Sequence, residues 1–158
     1  MSLQFDFDKL RNFAYDTLKP NISDSTDSRV PIHLTSTTGE KLLSTITLPL
    51  ENQKAAVWLS ATIGFRVNSP VPSQPPSAMR FRIWRGQPDT GTLVYSTTDS
   101  GQGGDSFGSV SRTTNLNHID IIKTPCKSVT YTLTVEAFDI VSISIIGPIT
   151  FTAAEIEL

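Results

Sequence analysis

Cysteine, histidine and charge are all scarce in this chain, and each scarcity closes off a class of function. The single cysteine of 158 residues, Cys126, cannot form an intramolecular disulfide, so this is not a small domain stapled by bridges. It reads as a plain surface or half-buried thiol, with an intermolecular bridge as the alternative. The two histidines, His33 and His118, lack the ligand-spaced cysteines or third histidine that a zinc site of three or four ligands requires, and read as surface residues. Charged residues make up 18%, and 13 Lys and Arg against 15 Asp and Glu leave a net charge of −2 without any run of five like charges. Neither nucleic acid nor an anionic membrane is then expected as the principal partner. Apolar runs as short as Ile145-Ile146 fall far below the roughly 20 residues of a membrane-spanning helix. The N-terminus, Met1-Ser2-Leu3-Gln4-Phe5-Asp6-Phe7-Asp8, carries acids where a signal peptide carries bases. A chain made without a leader, or already processed, is expected.

Reaction chemistry is equally thin. No Ser, His and Asp order stands out from the background. Gly101-Gln102-Gly103-Gly104-Asp105 lacks the Gly-Lys-Ser/Thr of a phosphate loop and leads into a strand rather than a helix, so it reads as a hairpin tip. Asp99 and Asp105 lack the oxygen spacing of a calcium loop. The expectation is a protein that is not an enzyme, with no catalytic residues, no cofactor and no metal.

What the chain has instead is alternation. Val129, Tyr131, Leu133, Val135 and Ala137 alternate with Thr130, Thr132, Thr134 and Glu136, the pattern of a strand half on a core and half outside it. Similar strands are expected at 30–35, 41–48, 55–67, 79–84, 92–97, 109–116, 141–146 and 149–156. Val57, Leu59, Ala61, Ile63, Phe65 and Val67 should face inward, as should Met79, Phe81 and Ile83. Four prolines between 69 and 76 make an extended loop, and 119–122 reads as a less regular apolar stretch. Strands at this spacing without crossover helices predict an all-β fold, a jelly-roll-type antiparallel β-sandwich of about eight strands. An immunoglobulin-type sandwich ranks second because its Cys…Trp…Cys spacing is missing.

One helix is expected, at 7–18, where Phe7, Leu10, Ala14 and Leu18 fall near helical spacing and Pro20 follows. The chain thus divides into an N-terminal arm and connector, 1–28, helical or extended, and a sandwich domain, 29–158. An amphipathic arm this short needs cover from its own domain or a neighbour. Leu3, Phe5, Phe7, Leu10, Phe13, Tyr15 and Leu18 are therefore candidate self-assembly residues, docking on the next subunit. Outward Trp58 and Trp84, with Arg80 and Arg82, are a candidate contact surface for a subunit, a carbohydrate or a receptor.

The arm, the segment Met79-Arg80-Phe81-Arg82-Ile83-Trp84-Arg85 with Gly91-Thr92-Leu93-Val94-Tyr95, and the C-terminal Thr130-Tyr131-Thr132-Leu133-Thr134-Val135 and Gly147-Pro148-Ile149-Thr150-Phe151-Thr152-Ala153 resemble, in the same order, the exosporium and spore-surface proteins of Bacillus-type spore formers. The likeness is strongest to the exosporium protein C type. It implies a structural protein of the exosporium layer or of an endospore appendage fibre, made in the mother-cell cytoplasm without a signal peptide. Its implied partners are copies of itself and other spore-surface proteins. A single cysteine departs from the cysteine-rich appendage subunits, which argues against extensive cross-linking. Two other functions stay open: a carbohydrate- or receptor-binding module, and a trimeric head like tumour necrosis factor with Tyr95 or Tyr131 at its axis.

Overall fold

The computed structural model describes residues 10–51, 55–69, 77–101, 108–138 and 142–157. Nine strands occupy them: β1 (Leu10–Thr17), β2 (Ile32–Leu34), β3 (Lys41–Pro49), β4 (Ala55–Ser69), β5 (Ser77–Arg85), β6 (Thr92–Gly101), β7 (Gly108–Ile122), β8 (Ser128–Ala137) and β9 (Ser142–Glu157). One sheet has the order β1-β9-β4-β7, with the short β2 also paired to β9; the other has the order β3-β8-β5-β6. First strand pairs with last, and β3 with β8, β4 with β7, β5 with β6, all antiparallel. This nesting is a long hairpin rolled on itself, the strand order of a jelly roll.

Between the sheets lies one core. The inward faces are those the alternation marks: Val57, Leu59, Ala61, Ile63, Phe65 and Val67 on β4, Met79, Phe81 and Ile83 on β5, and Val129, Tyr131, Leu133 and Val135 on β8 are all buried. β-Branched and aromatic side chains at every second position fit the pleat and meet the opposite sheet about 10 Å away.

Four expectations need correction. Residues 10–17 form a strand, not a helix, and β1 pairs with β9 from Leu10↔Ile156 to Thr17↔Thr150. Asn12 and Asp16 turn toward the interior because both find partners there: Asn12 donates to the buried Glu155 at 2.7 Å, and Asp16 accepts from Ser44 at 2.6 Å. Leu18 is 1% exposed and belongs to the chain's own core, so it is not available to a neighbour. The stretches 141–146 and 149–156 are one strand, β9. Its register shifts where Ile63 pairs with Ile149 but Phe65 pairs with Ile145, leaving 146–148 opposite Gly64 alone. Likewise 109–116 and 119–122 are both part of β7. Leu3, Phe5, Phe7 and Asp105 lie outside the described residues.

Candidate functional site

The outer face of the β1-β9-β4-β7 sheet changes character along its length. Register places Leu10, Ile156, Ala56 and Ile121 in one row across the four strands, and Phe13, Ala154, Trp58 and Ile119 in the next. Tyr15, Thr152, Ser60 and Asn117 follow, then Thr17, Thr150, Thr62 and Asn115. The first two rows are wholly apolar and the later ones are neutral and polar.

The large side chains on β1, β4 and β7 in those two rows, with Tyr15 of the next row beside them, are not covered. Leu10, Phe13, Tyr15, Trp58, Ile119 and Ile121 are 57, 56, 65, 43, 37 and 43% exposed. Phe13 and Tyr15, two apart on β1, stack with centroids 5.9 Å apart. Between the large residues the register sets Ala56 and Ala154, both buried. Together the six leave on the order of 500–600 Å² exposed, at the top of the range for the largest apolar patch on an ordinary monomer. No charged residue stands in either row.

The other predicted contact residues do not join this patch. Trp58 is on β4 and Trp84 on β5, so the two tryptophans stand on different sheets. Trp84 is half-buried, its indole donating to Glu40 Oε1 at 2.9 Å and Thr134 Oγ1 at 3.2 Å. Arg82 bridges Glu40 at 3.1 Å and Glu136 at 3.0 Å, and Arg80 lies 4.3 Å over the Phe138 ring. The basic-aromatic strand is thus an internally paired surface rather than an open contact set. Burial raises the Glu40 pKa, but hydrogen bonds from Thr134 and Trp84 and the Arg82 charge together hold it below the ordinary carboxylate value.

Tyr131 cannot meet another subunit at a threefold axis, because it is fully buried. Its hydroxyl bonds the buried Asp120, which also pairs with Arg85. Tyr95 is half-buried against His118, ring centroids 5.3 Å apart. His33 is exposed and shares a 2.9 Å hydrogen bond with Ser144, and Cys126 is exposed. Among the described residues no three His, Cys, Asp or Glu side chains gather as a metal site, and no helix is long and apolar enough to cross a membrane.

Sequence reasoning marked Leu10, Phe13 and Tyr15 as part of an assembly arm and Trp58 as part of a separate contact surface, but did not bring the two together. Ile119 and Ile121 were not marked at all. Their alternation with inward His118 and Asp120 was the available signal, inverted in polarity.

No protein-family model and no curated protein matches the sequence. Solved structures do resemble it. The infectious bursal disease virus Gx strain matches at 15% identity and TM-score 0.47 over 94% of this chain and 33% of that one. T=1 particles derived from the same virus match at 11% identity and TM-score 0.49 over 93% and 36%. Eiger TNF from S. frugiperda matches at 6% identity and TM-score 0.48 over 94% of both chains. The chain spans about a third of the length of the viral proteins. At these identities and scores the likeness says nothing of what the chain does, and the jelly roll is read from its own strand order.

Proposed function

We propose that this chain is a non-enzymatic structural subunit that assembles with copies of itself at the spore surface, in the exosporium layer or an appendage fibre, beside other spore-surface proteins. The observation behind self-association is the pair of uncovered apolar rows on the β1-β9-β4-β7 sheet. Two such faces opposed would cover roughly 1,000–1,200 Å², about the least that a stable specific interface buries. With no charge in either row, identical faces meet without like-charge repulsion. Phe13 and Tyr15 of the arm then serve assembly from their place in the sheet, through its outer surface rather than by detachment. The spore location rests on the resemblance of the arm, the Met79–Tyr95 region and the C-terminal strands, and implies synthesis in the mother-cell cytoplasm.

Sedimentation velocity on the intact chain tests the assembly. Concentration-dependent oligomers are expected, converted to monomers by Phe13→Ser with Trp58→Ser and unaffected by Leu93→Ser on the opposite sheet. A monomer at every concentration, or oligomers indifferent to the double substitution, would falsify it. Immunogold labelling of sporulating cells tests location: label on the outermost spore layer is expected, and label confined to the cytoplasm refutes it.

A further inference from the structure

Beyond the β9 bulge, the same sheet face carries a different site. Register aligns His33, Ser144, Arg66 and Ser111 across β2, β9, β4 and β7. The connector between β1 and β2 is tied to β9 beside them: the Ser25 amide donates to the Ile146 carbonyl at 3.1 Å, and Asn21 accepts from the Ile149 amide at 2.9 Å. Between connector and sheet opens a cavity of about 350 Å³, lined by Asp24, Pro31, His33, Arg66, Asn68 and Ser144 among others. That volume lies in the range of small-molecule sites, yet five of these six side chains are polar where such sites are usually apolar.

The polar groups are only partly satisfied. Arg66 Nη2 donates to Asp24 Oδ2 at 2.6 Å and Nε donates to Ser111 Oγ at 3.3 Å. The His33 Nδ1 bond engages Ser144 Oγ, whose residue is 5% exposed. The half-buried Asn68 amide, one acceptor oxygen and two donor hydrogens, has no hydrogen-bond partner among the described residues. On strand geometry His33 and Arg66 flank Ser144 from the two neighbouring strands, about 10 Å from each other, and Asn68 lies about 7 Å along β4 from Arg66.

We propose that this cavity binds a single neutral saccharide residue. Charge decides against an anion, since Asp24 already neutralises Arg66 and an anionic ligand would have to compete with that carboxylate. A ring bearing adjacent hydroxyls offers donors and acceptors together, which is what the Asn68 amide, the free Asp24 oxygen and the remaining Arg66 hydrogens require. Pro31 gives the C–H face of the ring an apolar wall. The bulge separates this cavity from the apolar rows, so the site stands whether or not the chain self-associates.

Saturation-transfer NMR on the intact chain, with a panel of neutral monosaccharides beside glycosides blocked at the reducing end, tests it. The blocked set separates a glycan terminus from a free sugar. At least one sugar is expected to bind, with binding abolished in Asn68→Ala, weakened about tenfold in Arg66→Gln and kept in Trp58→Ser. An unchanged thermal melt of the two cavity variants separates lost binding from lost fold. The proposal is overturned if no neutral sugar binds, if sugar binding survives both cavity substitutions, or if sulfate or phosphate occupies the cavity and sugars do not.

Discussion

The Tyr131 hydroxyl donates a 2.8 Å hydrogen bond to Asp120 Oδ2, joining β8 of one sheet to β7 of the other. Arg85 on β5 completes the link through Nε, 2.8 Å from the same oxygen, and through its Nη2 to Asp120 Oδ1. A carboxylate buried at the sandwich edge is tolerable because a charged and a neutral donor meet it there. Tyr131→Phe should cost about 1–2 kcal/mol, since Arg85 remains to the carboxylate. Asp120→Ala should cost about 3–5 kcal/mol, stranding both donors. Urea unfolding of the two variants checks the order; equal losses would mean that the hydroxyl, not the ion pair, holds the link.

The same contact gives stability an alkaline limit. Burial, reinforced by the Asp120 charge, pushes the Tyr131 phenol far above its ordinary value of 10. The folded state therefore keeps a proton that the unfolded chain loses. Stabilisation is complete below about pH 10 and declines as pH rises further. At the acid end the sign reverses for Glu40, whose lowered pKa contributes stability above the carboxylate range that is lost as pH falls through it. Thermal melts across pH should show Tyr131→Phe losing part of the alkaline decline and Glu40→Gln part of the acid decline. Melting profiles parallel to the parent chain at both ends would contradict this.

Gly64 is the position least able to accept a side chain. A Cβ there would stand 1.9 Å from the Gly147 carbonyl oxygen and 2.6 Å from Pro148 Cδ, both held in the β9 bulge. Neither neighbour is the end of a flexible side chain, and Gly147 itself has φ +89°, so the bulge has little room to shift. Gly64→Ala should therefore lower stability by more than about 3 kcal/mol, a severe loss for one methyl group. Gly39→Ala, with open space around its Cβ but φ +67°, should cost only about 1 kcal/mol. Soluble yield and denaturation midpoints of the two variants rank them.

How far the sequence was legible depended on which way polarity ran. On β4, β5 and β8 every second residue is apolar and faces the core, and Phe65, Phe81 and Tyr131 lie where alternation put them. On β1 and β7 it runs backwards. Asn12 and Asp16 turn inward to partners while Phe13 and Tyr15 face out, so only Ala14 and Leu18 marked the interior, at a spacing that also suits a helix. On β7, inward Asp120 and outward Ile119 and Ile121 disguised the end of a long strand as an irregular stretch. The bulge at Gly64 hid in the same way, because Gly147-Pro148 reads locally as a strand end. These inversions fall on the surface assigned to self-association, where apolar residues outside a core are expected. The saccharide cavity had no local signature, since His33, Arg66 and Ser144 meet only through pairing across three strands.

The composition of the apolar rows fixes how association should answer to salt. Leu10, Phe13, Trp58, Ile119 and Ile121 bring no charge to the contact, so screening has nothing in these rows to weaken. Removing apolar area from water is instead favoured by salts excluded from protein surfaces, sulfate foremost. Raising sodium chloride should leave the oligomer unchanged or slightly strengthened, and sodium sulfate at equal ionic strength should tighten it further. Cooling should loosen it, because hydrophobic association weakens as temperature falls. An assembly built on the exposed Arg66–Asp24 or Arg29–Asp16 pairs would show the opposite salt response, dissociating as chloride rises. Sedimentation equilibrium across the two salts and two temperatures separates these outcomes, and steep loss of oligomer in chloride would remove the apolar rows as the contact.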